Sequence, residues 1–256
     1  MDHEHIRWRG LRRALVYSVI GLWTLTSTAY PQNTAVIAGG PHDLSNGSAL
    51  RNTDATIAGQ TCVFCHTPHG GSNSIPLWNR SAPTGGAYQL YTSSTTDVAT
   101  TANEVAASVS GACLSCHDGT IAVDVLADVN GLAFGPSVAF TKQGTAKANF
   151  ANGGGGATNV MSGGLPFLGT DLRNDHPVAI VYETARAATP AEFVGQVVNG
   201  PSVTVGNASP VPLFGSNGAT ATVECASCHN PHNNSLGNFL RKANTGSAMC
   251  LSCHIK

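Results

Sequence analysis

The stretch TCVFCHTPHG, residues 61–70, brings two cysteines and two histidines into one short segment. Cys62, Cys65 and His66 form a C-x-x-C-H unit, the attachment signal of covalent c-type haem. This spacing lets two thioethers reach one porphyrin edge while the adjacent imidazole reaches the iron. His69 follows His66 by at most about 10 Å of extended chain, and Pro68 restricts the turn between them. We therefore predict that His66 and His69 bind different irons.

The C-x-x-C-H unit occurs four times and accounts for all eight cysteines. The spacing between the last two pairs is close to that of a zinc ribbon, but a histidine directly after every pair favours haem over zinc and over a redox-active dithiol. Neighbours at this spacing are also poor disulfide partners, because the loop that they would close is tiny. The sequence thus predicts four covalently bound haem c groups, at site 1 (Cys62, Cys65, His66), site 2 (Cys113, Cys116, His117), site 3 (Cys225, Cys228, His229) and site 4 (Cys250, Cys253, His254).

The histidine count indicates how the irons are coordinated. Of ten histidines, two lie in the N-terminal segment and four follow the cysteine pairs as proximal ligands. The number that remains equals the number of irons, so we expect two histidine ligands at every haem, the distal ones being His42, His69, His176 and His232. The alternatives are ordinary surface or core histidines, or a sulfur ligand from Met161 or Met249. An iron with two protein ligands has no open position for substrate, which favours electron transfer over catalysis.

The N-terminus predicts export. Arg7, Arg9, Arg12 and Arg13 precede an apolar run, Ala14–Leu25, and small residues precede a cleavage site after Ala29, as in a signal peptide. The run is shorter than the roughly 17–25 apolar residues of a membrane anchor, so we expect cleavage and no anchor afterwards. The formal net charge of −1 and the lack of a basic patch argue against nucleic-acid binding.

The rest of the chain, residues 30–256, is expected to form a single tetrahaem domain. Residues 130–170 are rich in glycine and predict a surface loop. We also predict a short helix at residues 103–108 that leads into site 2, a strand at 178–182, a helix at 190–198 from the capping box that starts at Thr189, and strands near 202–205 and 219–224. The expected fold class is a multihaem cytochrome c, mostly irregular, with short helices at the C-x-x-C-H sites and a few short strands, wrapped around a chain of four haems.

Several motifs together resemble a known family. PHDLS, CVFCHTPH, PLWNR, CLSCHDGT, LRNDHPV, PLFG, CASCHNPH, FLR and the terminal CLSCH occur in the order found in secreted tetrahaem c-type cytochromes, especially the outer-surface cytochrome E type that polymerises into extracellular nanowires. The resemblance implies low-spin irons with two histidine ligands. It also implies that His69 binds the site 4 iron of a neighbouring subunit, while His42, His176 and His232 serve sites 1–3. Site 3 is excluded for His232 by the argument given for His69, and the pairing of His42 and His176 stays open.

The sequence therefore favours an electron conductor of the extracellular space or cell surface. It would carry electrons as a head-to-tail filament of its own copies and pass them to redox proteins or extracellular acceptors. The alternative is a discrete periplasmic tetrahaem carrier that docks on a reductase. A multihaem enzyme is a third hypothesis and requires an iron with an open coordination position.

Overall fold

The computed structural model describes ten stretches of the chain, all within one compact unit, Gln32–Lys256. They are residues 37–44, 61–68, 71, 75, 77–84, 86, 88–123, 126–127, 160–206 and 209–255. The predicted signal segment 1–29, His69, and residues 130–159 of the predicted glycine-rich loop lie outside the described residues. Within the described stretches, no helix is both long enough and apolar enough to cross a membrane.

The helices are short, and all four C-x-x-C-H units coincide with one. Within the described stretches, the complete α-helices are α1 (Ala102–Ala107), α2 (Val109–His117), α3 (Tyr182–Ala188) and α4 (Cys225–Cys228), and the 3₁₀ helices are Thr61–Phe64, Thr245–Ser247 and Cys250–Ser252. Site 2 lies on α2 and site 3 on α4, while sites 1 and 4 lie on 3₁₀ helices. The expected short helix before site 2 is confirmed by α1.

Local sequence explains why α1 and α2 form separately. Thr101 and Glu104 make a capping box at the start of α1, and the Ser108 hydroxyl accepts from the Ser110 amide to cap α2. Gly111 is required at the junction, because a Cβ there would lie 2.1 Å from the Ala106 carbonyl oxygen. The two helices therefore pack tightly and deliver the chain to site 2.

The strands in the described part of the chain form three small sheets. They are β1 (Gln89–Leu90), β2 (Asp171–Leu172), β3 (Ile180–Val181), β4 (Gln196–Asn199), β5 (Ser202–Val205), β6 (Val211–Leu213) and β7 (Thr222–Val223). β1 and β2 pair in parallel, β3 and β7 pair antiparallel, and β4, β5 and β6 form an antiparallel meander. The strands expected near 202–205 and 219–224 are confirmed by β5 and β7. The strand expected at 178–182 is reduced to β3, because Tyr182 already begins α3.

The helix predicted at residues 190–198 is wrong. Instead, Phe193 bridges His254, the Val194 amide donates to the Cys253 carbonyl (2.9 Å), and the Ile255 amide donates to the Glu192 carbonyl (2.8 Å). Beyond this contact, β4 continues as an edge strand of the meander. Pairing with site 4 and with β5 satisfies the backbone in an extended form, so tertiary contacts override the local capping signal.

The buried apolar side chains of the described residues fall into four small clusters. The largest joins Tyr182, Met249 and inward-facing residues of β5 and β6. The Tyr182 hydroxyl donates to the carbonyls of Val194 (2.7 Å) and Cys253 (3.1 Å), which fastens this cluster to site 4. The other clusters lie beside sites 1 and 2.

Candidate haem-attachment sites

Each C-x-x-C-H unit closes into one helical turn. The amides of His66, His229 and His254 donate to the carbonyls of Cys62 (2.8 Å), Cys225 (2.9 Å) and Cys250 (2.9 Å), and site 2 occupies the last turn of α2. None of the eight cysteines is paired in a disulfide. One turn places the two thiols and the following histidine together, which is the arrangement that covalent haem attachment uses.

Consecutive sites lie next to one another in space. The thiols of Cys113 at site 2 and Cys225 at site 3 are hydrogen-bonded, and this bond together with burial raises the pKa of Cys113. Burial, and then the charge of nearby Cys116, raises the pKa of Cys65 to about 12. Burial and the charges of Cys225 and Cys250 likewise raise the pKa of Cys228. The attachment loops therefore follow one another in the order site 1, site 2, site 3, site 4.

Three of the four proximal histidines stand opposite a second histidine ring. The ring centres are 6.0 Å apart for His66 and His232, 6.2 Å for His117 and His42, and 6.3 Å for His254 and His176, so each pair joins a proximal ring to one of the predicted distal ligands.

This spacing fits one metal ion between the two rings. Metal–imidazole bonds are about 2 Å long and a ring centre lies about 1 Å beyond its nitrogen, so two imidazoles across one iron have centres about 6 Å apart. The side chains present thus suit a haem iron held at sites 1, 2 and 4.

Hydrogen bonds to carbonyl oxygens orient several of these rings. A carbonyl only accepts, so in each case Nδ1 carries the hydrogen and Nε2 keeps its lone pair, the form in which imidazole binds a metal. The donors and acceptors are His117 to Pro166 (2.6 Å), His229 to Asn238 (2.7 Å), His176 to Pro177 (2.8 Å) and His42 to Pro231 (3.3 Å).

Burial and stacking reinforce this arrangement. Burial lowers the pKa of His42, His117 and His232, which favours the neutral ring that coordinates metals. Phe239, which is distant from His42 in the sequence, stacks on its ring with ring centres 4.1 Å apart and so helps to fix its position.

One pairing differs from what the resemblance implied. There, His176 served one of the first three sites, and the second ligand of site 4 came from a neighbouring subunit through His69. Here His176 faces His254 of the same chain. The physical reason is that β3, just after His176, pairs with β7, just before site 3, which anchors His176 near the last two sites.

The alternatives to haem find no matching geometry in the described residues. No group of three or more His, Cys, Asp or Glu side chains is placed there to hold a metal ion, so the cysteines of sites 3 and 4 do not converge as a zinc ribbon requires. Burial raises the pKa of Cys65 and Cys253 to about 12, so these two thiols lack the lowered pKa that a reactive thiol needs, whereas the hydrogen bond with Cys113 lowers the pKa of Cys225. The sulfur-ligand candidates Met161 and Met249 are both packed in apolar clusters.

After site 1 and after site 3, the chain turns back and pairs with the proximal histidine of the site that it has just left. Trp78 bridges His66, and Leu240 bridges His229. The residue before each bridge has a left-handed backbone, with φ of 62° at Leu77 and 57° at Phe239. This conformation is rare for a side-chain-bearing residue. Because it occurs at equivalent positions, the two returning segments have the same backbone conformation there.

The residue after each bridge binds the second position of the preceding C-x-x-C loop. Asn79 donates its Nδ2 to the Val63 carbonyl, and Arg241 donates its Nε to the Ala226 carbonyl, both at 2.6 Å. The backbone amides of Asn79 and Arg241 also donate to the second cysteine of that loop, both at 2.9 Å.

The next residue reaches the third position of the following C-x-x-C loop. Arg80 donates its Nε to the Ser115 hydroxyl at 3.2 Å, and Lys242 donates its Nζ to the Ser252 hydroxyl at 3.0 Å. Sites 1 and 2 thus form a first doublet and sites 3 and 4 a second doublet, each held by a dipeptide clamp: Asn79–Arg80 in the first and Arg241–Lys242 in the second. Sequence reasoning missed the clamps; the repeated C-H-x-P-H motif was the available signal that the returning segments are equivalent.

Comparison with known proteins identifies part of this pattern. The doubled CXXCH motif family matches residues 218–256, which contain the second doublet. This part of the chain is a c-type cytochrome-like region, consistent with covalently bound haem c and electron transfer. No curated protein gave a significant match to the chain.

Proposed function

We propose that the chain is a four-haem c-type cytochrome with two histidine ligands at each iron, and that it transfers single electrons from haem to haem. The observation that carries this proposal is the set of three histidine pairs with ring centres 6.0–6.3 Å apart. The family match supports haem at sites 3 and 4. The hydrogen bonds shared by the two doublets support the same cofactor at sites 1 and 2.

The cofactor and the chain have separate roles in this function. Bound haem supplies the one-electron redox chemistry, while the protein sets spacing, ligation and dielectric. Thioethers from the eight cysteines fix each porphyrin, and the contacts between attachment loops bring neighbouring sites together. Two imidazole ligands fill the coordination sphere, so the proposed role is electron transfer and not catalysis. They also give a lower potential than histidine with methionine.

We further propose that copies of the chain assemble head to tail outside the cell. The three pairs use six of the eight ligand histidines, and within the described part of the chain no such pair includes His229. His69 occupies in C-H-T-P-H the position that His232 occupies in C-H-N-P-H, and His232 faces another site. The resemblance implies that this histidine serves a neighbouring subunit, and site 3 is the site without a facing histidine among the described residues, so we assign His69 to the site 3 iron of a neighbouring copy. A head-to-tail contact that does not close produces a filament.

The proposed location and partners follow from the predicted export signal. The protein is exported to the extracellular space or cell surface and cleaved after Ala29. Its partners are other copies of itself, redox proteins and extracellular electron acceptors.

The test uses the holoprotein and His69→Ala, with Asn73→Ala as a control in the same segment. Mass spectrometry is expected to give four haems, and electron paramagnetic resonance only low-spin iron. In His69→Ala, one iron becomes high-spin, and filaments seen by negative-stain microscopy are lost. Asn73→Ala keeps both properties.

Other outcomes separate the alternatives. A strictly monomeric holoprotein with only low-spin iron indicates a discrete periplasmic carrier. A high-spin iron in the unmodified holoprotein indicates an enzyme. Fewer than four haems contradicts the four-haem proposal itself.

A further inference from the structure

In both doublets, a cationic side chain lies against the second attachment loop. Arg80 donates to the Ser115 hydroxyl (3.2 Å) and carbonyl (2.8 Å), inside the site 2 loop. Lys242 donates to the Ser252 hydroxyl (3.0 Å), inside the site 4 loop. The two serines hold the same position of their C-x-x-C units, so the two cations are structurally equivalent.

The Arg80 guanidinium is buried among neutral partners. Its exposed fraction is 1%. Its other hydrogen bonds to described residues go to the carbonyls of Val123 (2.7 Å) and Ala122 (3.0 Å). Burying a charge is costly when no opposite charge accompanies it. Dipoles satisfy the donors of Arg80 without cancelling its charge, so its field reaches the site 2 loop that it contacts and also Cys65 at site 1, whose raised pKa it partly offsets.

Site 2 also has buried negative charge nearby. The Asp118 carboxylate, next to His117, accepts from the Tyr88 hydroxyl at 2.6 Å, and the Glu224 carboxylate accepts from the Ser110 amide in α2 at 3.1 Å. Of the charged side chains buried among the described residues, three are carboxylates, Asp43, Asp118 and Glu224, and one is the base Arg80. Arg80 is thus placed to oppose the negative potential around site 2.

We propose that Arg80 and Lys242 raise the reduction potentials of the haems at sites 2 and 4. Reduction adds one electron to the iron, and a nearby positive charge in a low dielectric stabilises the added negative charge. Lys242 is half-buried, so solvent screens its charge more and its effect is smaller. The inference rests on the proposed function, because it requires haem at both sites.

The experiment is an optical redox titration of the assembled holoprotein and four variants. Arg80→Gln and Lys242→Gln remove the charge, while Arg80→Lys and Lys242→Arg exchange the two natural cations. Haem count by mass spectrometry and spin state by paramagnetic resonance are measured first. A loss of haem or of low-spin iron in the unmodified protein would count against the proposed function and not against this inference.

With four low-spin haems present, Arg80→Gln is expected to shift part of the titration to lower potential, and Lys242→Gln to shift it less in the same direction. Arg80→Lys and Lys242→Arg are expected to have reduction potentials close to those of the unmodified protein. The inference is overturned if both glutamine variants titrate unchanged, or if Arg80→Lys shifts as far as Arg80→Gln, since geometry and not charge would then matter. If Arg80→Gln does not assemble, Lys242→Gln is compared with Lys242→Arg. A lower potential in Lys242→Gln alone supports the inference, and equal potentials in the two variants overturn it.

Discussion

The two doublets share their hydrogen bonds but differ in the connection between their sites. In the second doublet, residues 229–249 link site 3 to site 4 almost directly. In the first, residues 66–112 make a longer excursion that includes β1 and α1. The bridge, the left-handed residue and the clamp are the same in both. The attachment geometry therefore depends on the returning segment and tolerates a large change in the chain that follows it.

The two clamps differ in how deeply they are buried. Asn79 and Arg80 have exposed fractions of 0% and 1%, whereas Arg241 and Lys242 are half-buried. The Ala127 amide donates to the Asn79 carbonyl (2.8 Å), so the chain that follows site 2 covers the first clamp. The clamp of the first doublet is therefore better shielded from solvent than that of the second.

The largest expected effect comes from removing the cysteines of one doublet. We expect cysteine-to-alanine replacement at sites 1 and 2, or at sites 3 and 4, to remove two haems and to abolish cooperative unfolding. The reason is that the doublets depend on each other: His232 of the second faces His66 of the first, and the thiol of Cys113 contacts that of Cys225. Mass spectrometry and thermal circular dichroism measure both effects. Cooperative unfolding with one doublet intact would show that each doublet is a separate folding unit.

An intermediate effect is expected at the junction between the doublets. The buried Glu224 carboxylate accepts from the Ser108 hydroxyl (2.9 Å), the Ser110 amide and the Thr222 hydroxyl (2.6 Å). Glu224→Ala leaves the Ser110 hydroxyl without an acceptor, removes one of two acceptors from each of the other donors, and should lower the free energy of unfolding by about 3 kcal/mol. Glu224→Gln keeps an acceptor and should cost about 1 kcal/mol. Denaturant unfolding of the holoprotein measures both, and equal losses would mean that the junction does not depend on these hydrogen bonds.

Local patterns in the sequence predicted the C-x-x-C-H units and the candidate ligands, but not which of these residues lie close together in the fold. C-x-x-C-H is a contiguous signal, so it needs no knowledge of the fold. The His176–His254 pair depends on β3 meeting β7, a long-range contact that leaves no mark near His176. The helix expected at 190–198 was wrong for the same reason: its capping signal is local, whereas the extended chain that replaces it is stabilised by site 4. The clamps bind backbone carbonyls, which any sequence provides.

The smallest expected effect compares the first residues of the two clamps. Asn79→Ala and Arg241→Ala each remove one 2.6 Å hydrogen bond to the carbonyl at the second position of a C-x-x-C loop. The Val63 carbonyl partner of Asn79 lies in a buried setting, so its loss should cost about 2 kcal/mol of unfolding free energy, and the half-buried Arg241 about 1 kcal/mol. Denaturant unfolding at constant haem content measures the difference. The substitution Ser235→Ala, at an exposed position outside both clamps, serves as the control and should change stability by less than about 0.5 kcal/mol. A larger loss for Arg241→Ala than for Asn79→Ala would contradict the inference that deeper burial strengthens the first clamp by excluding water.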